Sequence, residues 1–431
     1  MEYQLSLPLP TTSRLSFKVH RRKPELVTPA KSTPRELKPL SNIDDQQGLR
    51  FQIHFIFFYR RNLKRALLIT WTGSRLLTLV YYYPFAGRLW EGPNRKLAVD
   101  CTGEGVLVTE ADADVTFAEL EEADALLPPF PCLEELLFDV QGSSEVLTTP
   151  LLLVQAAKIN KHHKAKLLEA VRHHETGRDS NGFALRHKVP LHHVEPEAVV
   201  AGDCLVTRSF FFGREEIAAI RRLLPPGLHN STFDVLTSFL WRCRTAAMSP
   251  DPNTEMRMTY LVDSRSKLRN PPIPSGYYGN VLAMPVAIAT AKDLMEKPLE
   301  FPLRLIQEAK SSVTEDYIRS VAALMATRDR PKFVTAGNYM VSDLRRFDIG
   351  HVDFGPWGKP VYGGPAKTAI GTFPGVSVYM PFKNKKGETG TVVPVNLPAL
   401  AMEKFIEELN GVFMAGSSAK FKKTIVLKSK F

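Results

Sequence analysis

Histidine is the residue type that most readily does chemistry in this chain. Seven of its eleven histidines lie between His162 and His193. A neutral imidazole can remove a proton from an alcohol, and it can also bind a metal ion. The adjacent pairs His162–His163 and His173–His174 do not converge on one ion, and no set of carboxylates or cysteines joins them. We therefore expect no metal site here, and the basic stretch around these pairs is typical of a charged, exposed helix.

Other reactive patterns add little. The sequence has no G-x-S-x-G elbow, no G-x-x-x-x-G-K-[ST] loop and no G-x-G-x-x-G turn after a strand, which disfavours α/β-hydrolases, P-loop enzymes and dinucleotide enzymes. The cysteines lie far apart without a C-x-x-C pair, at positions Cys101, Cys132, Cys204 and Cys243. That spacing suits neither a disulfide framework nor structural zinc, and it predicts reduced thiols in the cytoplasm.

Composition indicates a folded protein with two or three domains' worth of chain. It has 431 residues, 44% hydrophobic and 23% charged, with a formal net charge of +11. The basic residues gather in three separate regions, at 60–65, 158–188 and 420–430. No nucleic-acid-binding module accompanies them, so we interpret them as solvated basic faces and expect no nucleic-acid partner.

Targeting signals are missing from the sequence as given. The opening Met1–Gln4 contains an early acid, and no apolar core of signal-peptide length precedes the basic run at 20–23. The apolar run Phe51–Tyr59 is interrupted by Gln52 and His54 and is far shorter than the ~20 residues of a membrane span. We expect a cytoplasmic protein without a membrane partner.

Strand and helix patterns are intermixed along the chain, which predicts an α/β fold. Short apolar or β-branched runs predict buried strands at 97–99, 151–155 and 377–380. Apolar spacing predicts helices at 214–224 and 235–244, the second preceded by the capping residue Ser231. Proline and glycine predict irregular structure at 270–276, and the segment 187–203 reads as a crossover between domains.

Several motifs occur in the order found in one known family. They are Tyr81–Leu89 (YYYPFAGRL), Val99–Gly105 (VDCTGEG), Ser231–Asp234 (STFD), Leu240–Arg244 (LWRCR), Val262–Arg265 (VDSR), Gly276–Asn280 (GYYGN) and Asp353–Pro360 (DFGPWGKP). Together they resemble the BAHD acyltransferases, particularly plant alcohol acyltransferases of the benzyl alcohol O-benzoyltransferase type. The resemblance covers most of the chain.

The resemblance implies a two-domain, chloramphenicol-acetyltransferase-like fold with mixed sheets flanked by helices and a channel between the domains. We place the domains at 1–190 and 215–431, with a crossover linker at 191–214. The implied reaction moves an acyl group from a coenzyme A thioester to a small alcohol, with benzyl or aliphatic alcohols as expected acceptors. Acyl-coenzyme A is then a co-substrate, no cofactor is permanently bound, no metal takes part, and the protein is expected to be a monomer.

The family's general-base motif, His-x-x-x-Asp, is absent. No histidine has an aspartate four residues later, and the nearest imitations are His193 with Glu197 and His174 with Asp179. In the family the motif follows a strand containing Ala-Leu-Arg, and here the run 182–187 (GFALRH) keeps that lead-in. His187 is therefore the candidate base.

Three further residues are assigned by the resemblance. Arg265 matches the arginine that pairs with the motif's aspartate, which this chain lacks. Tyr277 and Tyr278 are expected to line the channel, although an aromatic pair beside a glycine is also typical of a packed turn.

The second signature departs from the family pattern by one residue. Pro356 is inserted before Trp357, in a loop that otherwise keeps Asp353, Gly355 and Gly358. The resemblance gives Asp353 a structural role, holding a loop that shapes the thioester side of the channel.

An alternative from a different class stays open. The chain could be a catalytically silent family member or a damaged gene product that has lost the active-site loop. Under that hypothesis the segment 156–203 is an incorrectly joined piece, and under the first it is native.

Overall fold

The structure is a computed structural model that describes residues 15–46, 49–60, 76–140, 147–159, 165–173, 205–328, 334–353, 357–367, 373 and 375–414. For residues 165–173 it describes only the backbone.

Eighteen strands occur in the described residues. In chain order they are β1 Val19–Arg21, β2 Glu25–Val27, β3 Leu37–Pro39, β4 Gln52–Arg60, β5 Arg88–Glu91, β6 Leu97–Asp100, β7 Val106–Ala113, β8 Leu152–Ile159, β9 Ala165–His173, β10 Leu205–Phe212, β11 Glu255–Tyr260, β12 Val262–Asp263, β13 Leu282–Ala283, β14 Val286–Thr290, β15 Asn338–Asp343, β16 Pro360–Pro365, β17 Val376–Lys383 and β18 Thr389–Pro398.

Nine α-helices accompany them in the same ranges of the chain. They are α1 Thr78–Tyr81, α2 Phe117–Glu122, α3 Leu133–Leu136, α4 Arg214–Arg221, α5 Thr232–Met248, α6 Ala291–Glu296, α7 Glu300–Ser311, α8 Glu315–Thr327 and α9 Ala399–Met414. A short 3-10 helix, Tyr83–Ala86, follows α1. None of the described helices is both long enough and apolar enough to cross a membrane.

The first large sheet has the strand order β1-β7-β8-β9-β4-β16, with β2 also pairing with β7. Strands β7 and β8 run parallel, whereas β9 is antiparallel to both of its neighbours, β8 and β4. Strand β16 comes from the last third of the chain and pairs with β4. The two halves of the sequence therefore share one sheet.

The second large sheet has the order β10-β18-β17-β15-β11-β14 and is also mixed, since β15 runs parallel to both β11 and β17. Helix α5 packs against α4, α7 and α9 beside this sheet. Its buried side chains include Leu236, Phe239 and Trp241, which join the largest apolar core. Burial of such side chains supplies most of the folding free energy.

Local signals correctly predicted several elements. The strands predicted at 97–99, 151–155 and 377–380 correspond to β6, β8 and β17, and the two predicted helices correspond to α4 and α5. The Ser231 hydroxyl accepts the Asp234 amide at 3.2 Å, and the Asp234 carboxylate accepts the Ser231 amide at 3.0 Å. This reciprocal capping box fixes the start of α5.

Two expectations are corrected. The stretch around His173 is a strand, β9, instead of an exposed helix, because its backbone fills the sheet position between β8 and β4. Residues 205–212, placed in the linker by the sequence, form β10 and pair with β18 of the second sheet. The division into domains as a whole stays a prediction.

Candidate active site

Arg265 is held against the loop that carries the two tyrosines. Its Nη2 donates to the carbonyl oxygen of Gly279 at 2.8 Å, and its Nη1 donates to Asp263 Oδ1 at 3.2 Å. The Arg265 side chain is 40% exposed. The arginine is therefore a partly solvated, paired cation, and the Asp263 carboxylate is its acidic partner.

The same loop is attached to a segment from the first part of the chain. The Asn280 amide donates to Asp44 Oδ1 at 3.2 Å. Tyr277 hydrogen-bonds with Ser41, and burial, followed by the nearby Asp44 charge, raises the pKa of its hydroxyl. These contacts join residues more than 200 positions apart and fix the loop in place.

Tyr278 packs against aromatic rings from the first part of the chain. Its ring centroid lies 5.5 Å from that of Tyr82 in an edge-to-face arrangement and 6.1 Å from that of Phe85. Both separations lie in the favourable range for aromatic pairs. Burial also raises the pKa of the Tyr278 hydroxyl, which therefore stays protonated at neutral pH.

A cavity of about 500 Å³ opens beside these rings. Its lining residues are Leu77, Thr78, Tyr81, Tyr82, Gly276 and Tyr278. They come from α1 and its flanks on one side and from the 276–280 loop on the other. The volume suits a small-molecule site.

The second signature is anchored by Tyr59 at the end of β4. The Tyr59 hydroxyl donates to the Val352 carbonyl oxygen at 3.0 Å, and the Trp357 ring lies 5.6 Å from the Tyr59 ring. Trp357 is 4% exposed, whereas Asp353 is exposed. Burial, and secondarily the Asp353 charge, raises the pKa of Tyr59 well above its ordinary value.

Gly358 follows Trp357 with a φ of +70°, a conformation that glycine adopts without strain. Its neighbours Gly355 and Pro356 lie outside the described residues, so the effect of the inserted proline stays a prediction.

One apolar cluster connects the loop of the second signature, Asp353–Pro360, with the 276–280 loop that carries the two tyrosines. Trp357, Tyr59 and Leu79 are buried members of it, and Phe85 packs against it. Since the Phe85 ring also contacts Tyr278, the structure brings Trp357 and Tyr278 into one neighbourhood. Sequence motifs named both residues but gave no sign that Phe85 joins them.

The candidate base His187 lies outside the described residues. In the described residues, the strand between β8 and β4 is β9. Its last residue, His173, is the register partner of Gln52 on β4. Sequence reasoning passed over His173 as a base. The signal was present, because the run 170–173 (AVRH) has nearly the same pattern as 184–187 (ALRH).

A second histidine was also missed as a candidate. His54 on β4 is only 9% exposed, and its Nε2 lies 3.5 Å from Asp139 Oδ1. A carboxylate can orient an imidazole in this way. The only sequence signal was a histidine interrupting an apolar run, and His54 does not line the cavity.

The described side chains contain no group of three or more histidine, cysteine, aspartate or glutamate residues that could hold a metal ion. Cys101, Cys132 and Cys243 are free thiols.

Comparison with sequence families gives one match over most of the chain. A profile described as "Transferase family" matches residues 17–161 and 202–411. The match covers the described cavity lining, Arg265 and the second signature. The unmatched stretch, 162–201, contains the seven clustered histidines, the candidate base His187 among them.

Two similar plant proteins span nearly the whole chain. A (Z)-3-hexen-1-ol acetyltransferase of Arabidopsis thaliana is 61% identical, covering 96% of this chain and 99% of that protein. A benzyl alcohol O-benzoyltransferase of Petunia hybrida is 47% identical over 462 positions, covering 96% and 97%. Since this chain has only 431 residues, at least 31 of those positions have no counterpart in it.

Solved structures share the fold. Vinorine synthase superposes with a TM-score of 0.65 at 18% identity, covering 92% of this chain and 98% of that one. The TRI101 protein of F. sporotrichioides superposes with a TM-score of 0.59 at 17% identity, covering 86% and 97%. The predicted chloramphenicol-acetyltransferase-like α/β fold is thereby confirmed.

Proposed function

The chain belongs to the Transferase family, the family of the BAHD acyltransferases, and from this premise we propose that it moves an acyl group from a coenzyme A thioester to a small alcohol, forming an ester and free coenzyme A. The observation that carries the proposal is the 61% identity with a hexenol acetyltransferase over 96% of the chain. The relative's substrate class is thus the first one to test here.

The chemistry requires one general base. A neutral imidazole takes the proton of the alcohol while the alcohol oxygen attacks the thioester carbonyl. The carbon–sulfur bond then breaks, and the departing sulfur takes up the proton, which leaves free coenzyme A and the ester. We assign the base to His187, with His173, the last residue of β9, as the rival.

The remaining residues position the substrates. Gly276 and Tyr278 form one wall of the space beside α1, Tyr277 lies on the same loop outside the described lining, and Arg265 holds this loop through the Gly279 carbonyl. In this proposal the loop that contains Asp353, Gly355, Trp357 and Gly358 shapes the thioester side. Acyl-coenzyme A acts as a co-substrate, and the protein works as a cytoplasmic monomer of two domains.

A second candidate is a catalytically silent or damaged family member. It is favoured by the 40-residue stretch 162–201 that the family profile leaves unmatched, together with the absence of His-x-x-x-Asp. Sequencing the transcript across residues 155–204 separates the two candidates. A transcript that contains a His-x-x-x-Asp segment supports the hypothesis that the given sequence is incorrectly joined. A transcript that matches the given sequence supports a native segment.

The proposed activity is tested by measuring free thiol released from acetyl-coenzyme A with and without hexenol or benzyl alcohol. We expect alcohol-dependent release by the chain as given. Equal release of thiol with and without the alcohol indicates hydrolysis of the thioester and contradicts the proposal.

A further inference from the structure

The cavity beside α1 has walls from two distant parts of the chain. Thr78, Tyr81 and Tyr82 lie on the first wall, and Gly276 and Tyr278 lie on the second. Tyr278 is fixed by its contacts with Tyr82 and Phe85. The loop behind it is held by the Asn280–Asp44 and Arg265–Gly279 hydrogen bonds. The walls are therefore positioned before any ligand arrives, which lowers the entropic cost of binding.

The rings that face this space are unusually exposed for their size. Tyr81 is 72% exposed, Tyr82 45% and Tyr278 45%, and Leu77 beside them is 54% exposed. Scattered exposed apolar residues are ordinary, but a concave cluster of them is typical of a binding site.

The polar groups of the lining are hydroxyls. Thr78, Tyr81, Tyr82 and Tyr278 each carry one, and the three phenolic hydroxyls have no hydrogen-bond partner among the described residues. A phenolic hydroxyl can donate to or accept from a ligand hydroxyl. The site therefore offers aromatic faces and edges together with uncharged hydrogen-bonding groups.

Among the described residues that line it, the cavity has no cation. The neighbouring Lys38 ammonium already donates to Glu36 Oε1 and to the Tyr83 hydroxyl, each at 3.0 Å. Its pairing with these groups raises the pKa of Lys38, so it stays charged and engaged. A phosphate-bearing ligand such as the nucleotide end of coenzyme A gains little here, because phosphate sites use free lysine, arginine or amide donors.

Gly276 lines the cavity in a backbone conformation that favours glycine. Its φ is +79°, and a Cβ built on it meets nothing within 4 Å. The conformation favours glycine, and the absence of a side chain leaves space at the edge of the aromatic wall.

We propose that this cavity binds the acceptor alcohol and selects for a flat, unsaturated body, as in an aryl or allylic alcohol, with Tyr278 as a specificity-determining residue. The inference rests on the proposed acyl transfer. It goes further by selecting, within the benzyl or aliphatic alcohols that the sequence left open, those with a flat, unsaturated body. Tyr278 presents a ring surface to the acceptor, and Tyr81, the most exposed of the three tyrosines, covers it from the opposite wall.

The test measures binding without catalysis. Benzyl alcohol is the aromatic probe, 1-hexanol is the saturated probe, and coenzyme A is the control ligand, each titrated into the full chain and followed by ligand-observed NMR. Because one aromatic pair is worth about 0.5–1.5 kcal/mol, Tyr278→Leu is expected to weaken the binding of benzyl alcohol by about 2- to 13-fold. The same substitution should change the affinity for 1-hexanol by no more than about twofold.

Trp90→Leu is the matched control, because Trp90 is 42% exposed and lies on β5, outside the cavity lining. It should leave the affinity for benzyl alcohol unchanged. Near-ultraviolet circular dichroism of both variants checks that the fold persists, and Tyr278→Phe, which keeps the ring, should restore benzyl alcohol binding to within about twofold.

Three results overturn the inference: equal affinity for benzyl alcohol in Tyr278→Leu and wild type, equal weakening of both alcohols, or loss of coenzyme A binding in place of benzyl alcohol binding. The last result would show that the cavity binds the coenzyme A thioester. Since no turnover is measured, a silent protein that still binds benzyl alcohol through Tyr278 refutes the proposed activity and leaves this inference standing.

Discussion

The carbonyl oxygen of Gly279 accepts a 2.8 Å hydrogen bond from Nη2 of Arg265, and the same guanidinium contacts Asp263. Arg265 is the residue that the family resemblance pairs with the aspartate of a motif absent from this chain. It has acquired local partners instead of remaining a buried, unpaired charge, which would be costly.

Arg265→Met should therefore change stability only slightly. An exposed ion pair and one hydrogen bond contribute about 1 kcal/mol or less, so we expect the Tm to fall by about 2 °C or less. Differential scanning calorimetry measures it, with Arg304→Met, which removes an exposed pair with Glu300, as the control. A fall of several degrees in the Tm of Arg265→Met, without a similar fall in Arg304→Met, would contradict this expectation. It would show that the Arg265 cation stabilises the 276–280 loop.

Gly358→Ala tests the backbone of the second signature. Nothing lies within 4 Å of the added methyl group, so the whole effect comes from the φ of +70°. We expect a loss of about 1 kcal/mol in the free energy of unfolding.

Gly411→Ala is its control, because Gly411 lies in α9 with equally open space around it. Alanine in a helix interior should stabilise by about 0.5–1 kcal/mol. Urea unfolding of both variants should give opposite signs, and two losses of similar size would contradict the backbone explanation.

Buried tyrosines predict a loss of stability at high pH. Burial raises the pKa of Tyr339 to about 12, against about 10 in an unfolded chain. Below pH 10 both states keep the proton. Between pH 10 and 12 the unfolded chain loses it first, so the free energy of unfolding falls as the pH rises.

Between pH 9 and 11, the free energy of unfolding should fall by about 1 kcal/mol less in Tyr339→Phe than in the wild type. Urea unfolding at these two values measures it, with the exposed Tyr81→Phe as control. An identical decline in both variants would mean that Tyr339 does not contribute.

Local sequence rules predicted those elements whose signals lie within a few residues. The capping box of Ser231 and Asp234 is such a signal, and so is the apolar run that became β17. The position of β9 could not be predicted this way, because the run around His173 is charged and its strand form comes from pairing with β4, more than 100 residues earlier.

The candidate site shows the same limit. Motifs named Tyr278 and Trp357, but the rings that position them, Tyr82 and Tyr59, come from the opposite end of the chain. Aromatic packing between distant segments leaves no periodic pattern in a single sequence.

The assignment of the base is tested by alanine substitutions. His187→Ala should lower ester formation about 100-fold or more, the usual cost of losing a general base. His173→Ala and the exposed His229→Ala should leave it within about twofold. A large loss in His173→Ala with normal activity in His187→Ala would transfer the role to the residue at the end of β9.

The central claim is acyl transfer by this chain, and the most direct measurement follows the acyl group itself. Acetyl-coenzyme A labelled in its acetyl group is incubated with the purified full chain and benzyl alcohol, and labelled ester and free coenzyme A are quantified in the same sample. The account predicts that they appear in equal amounts and that both depend on the alcohol. Free coenzyme A without labelled ester, or no release at all by a folded chain that still binds benzyl alcohol, would contradict it.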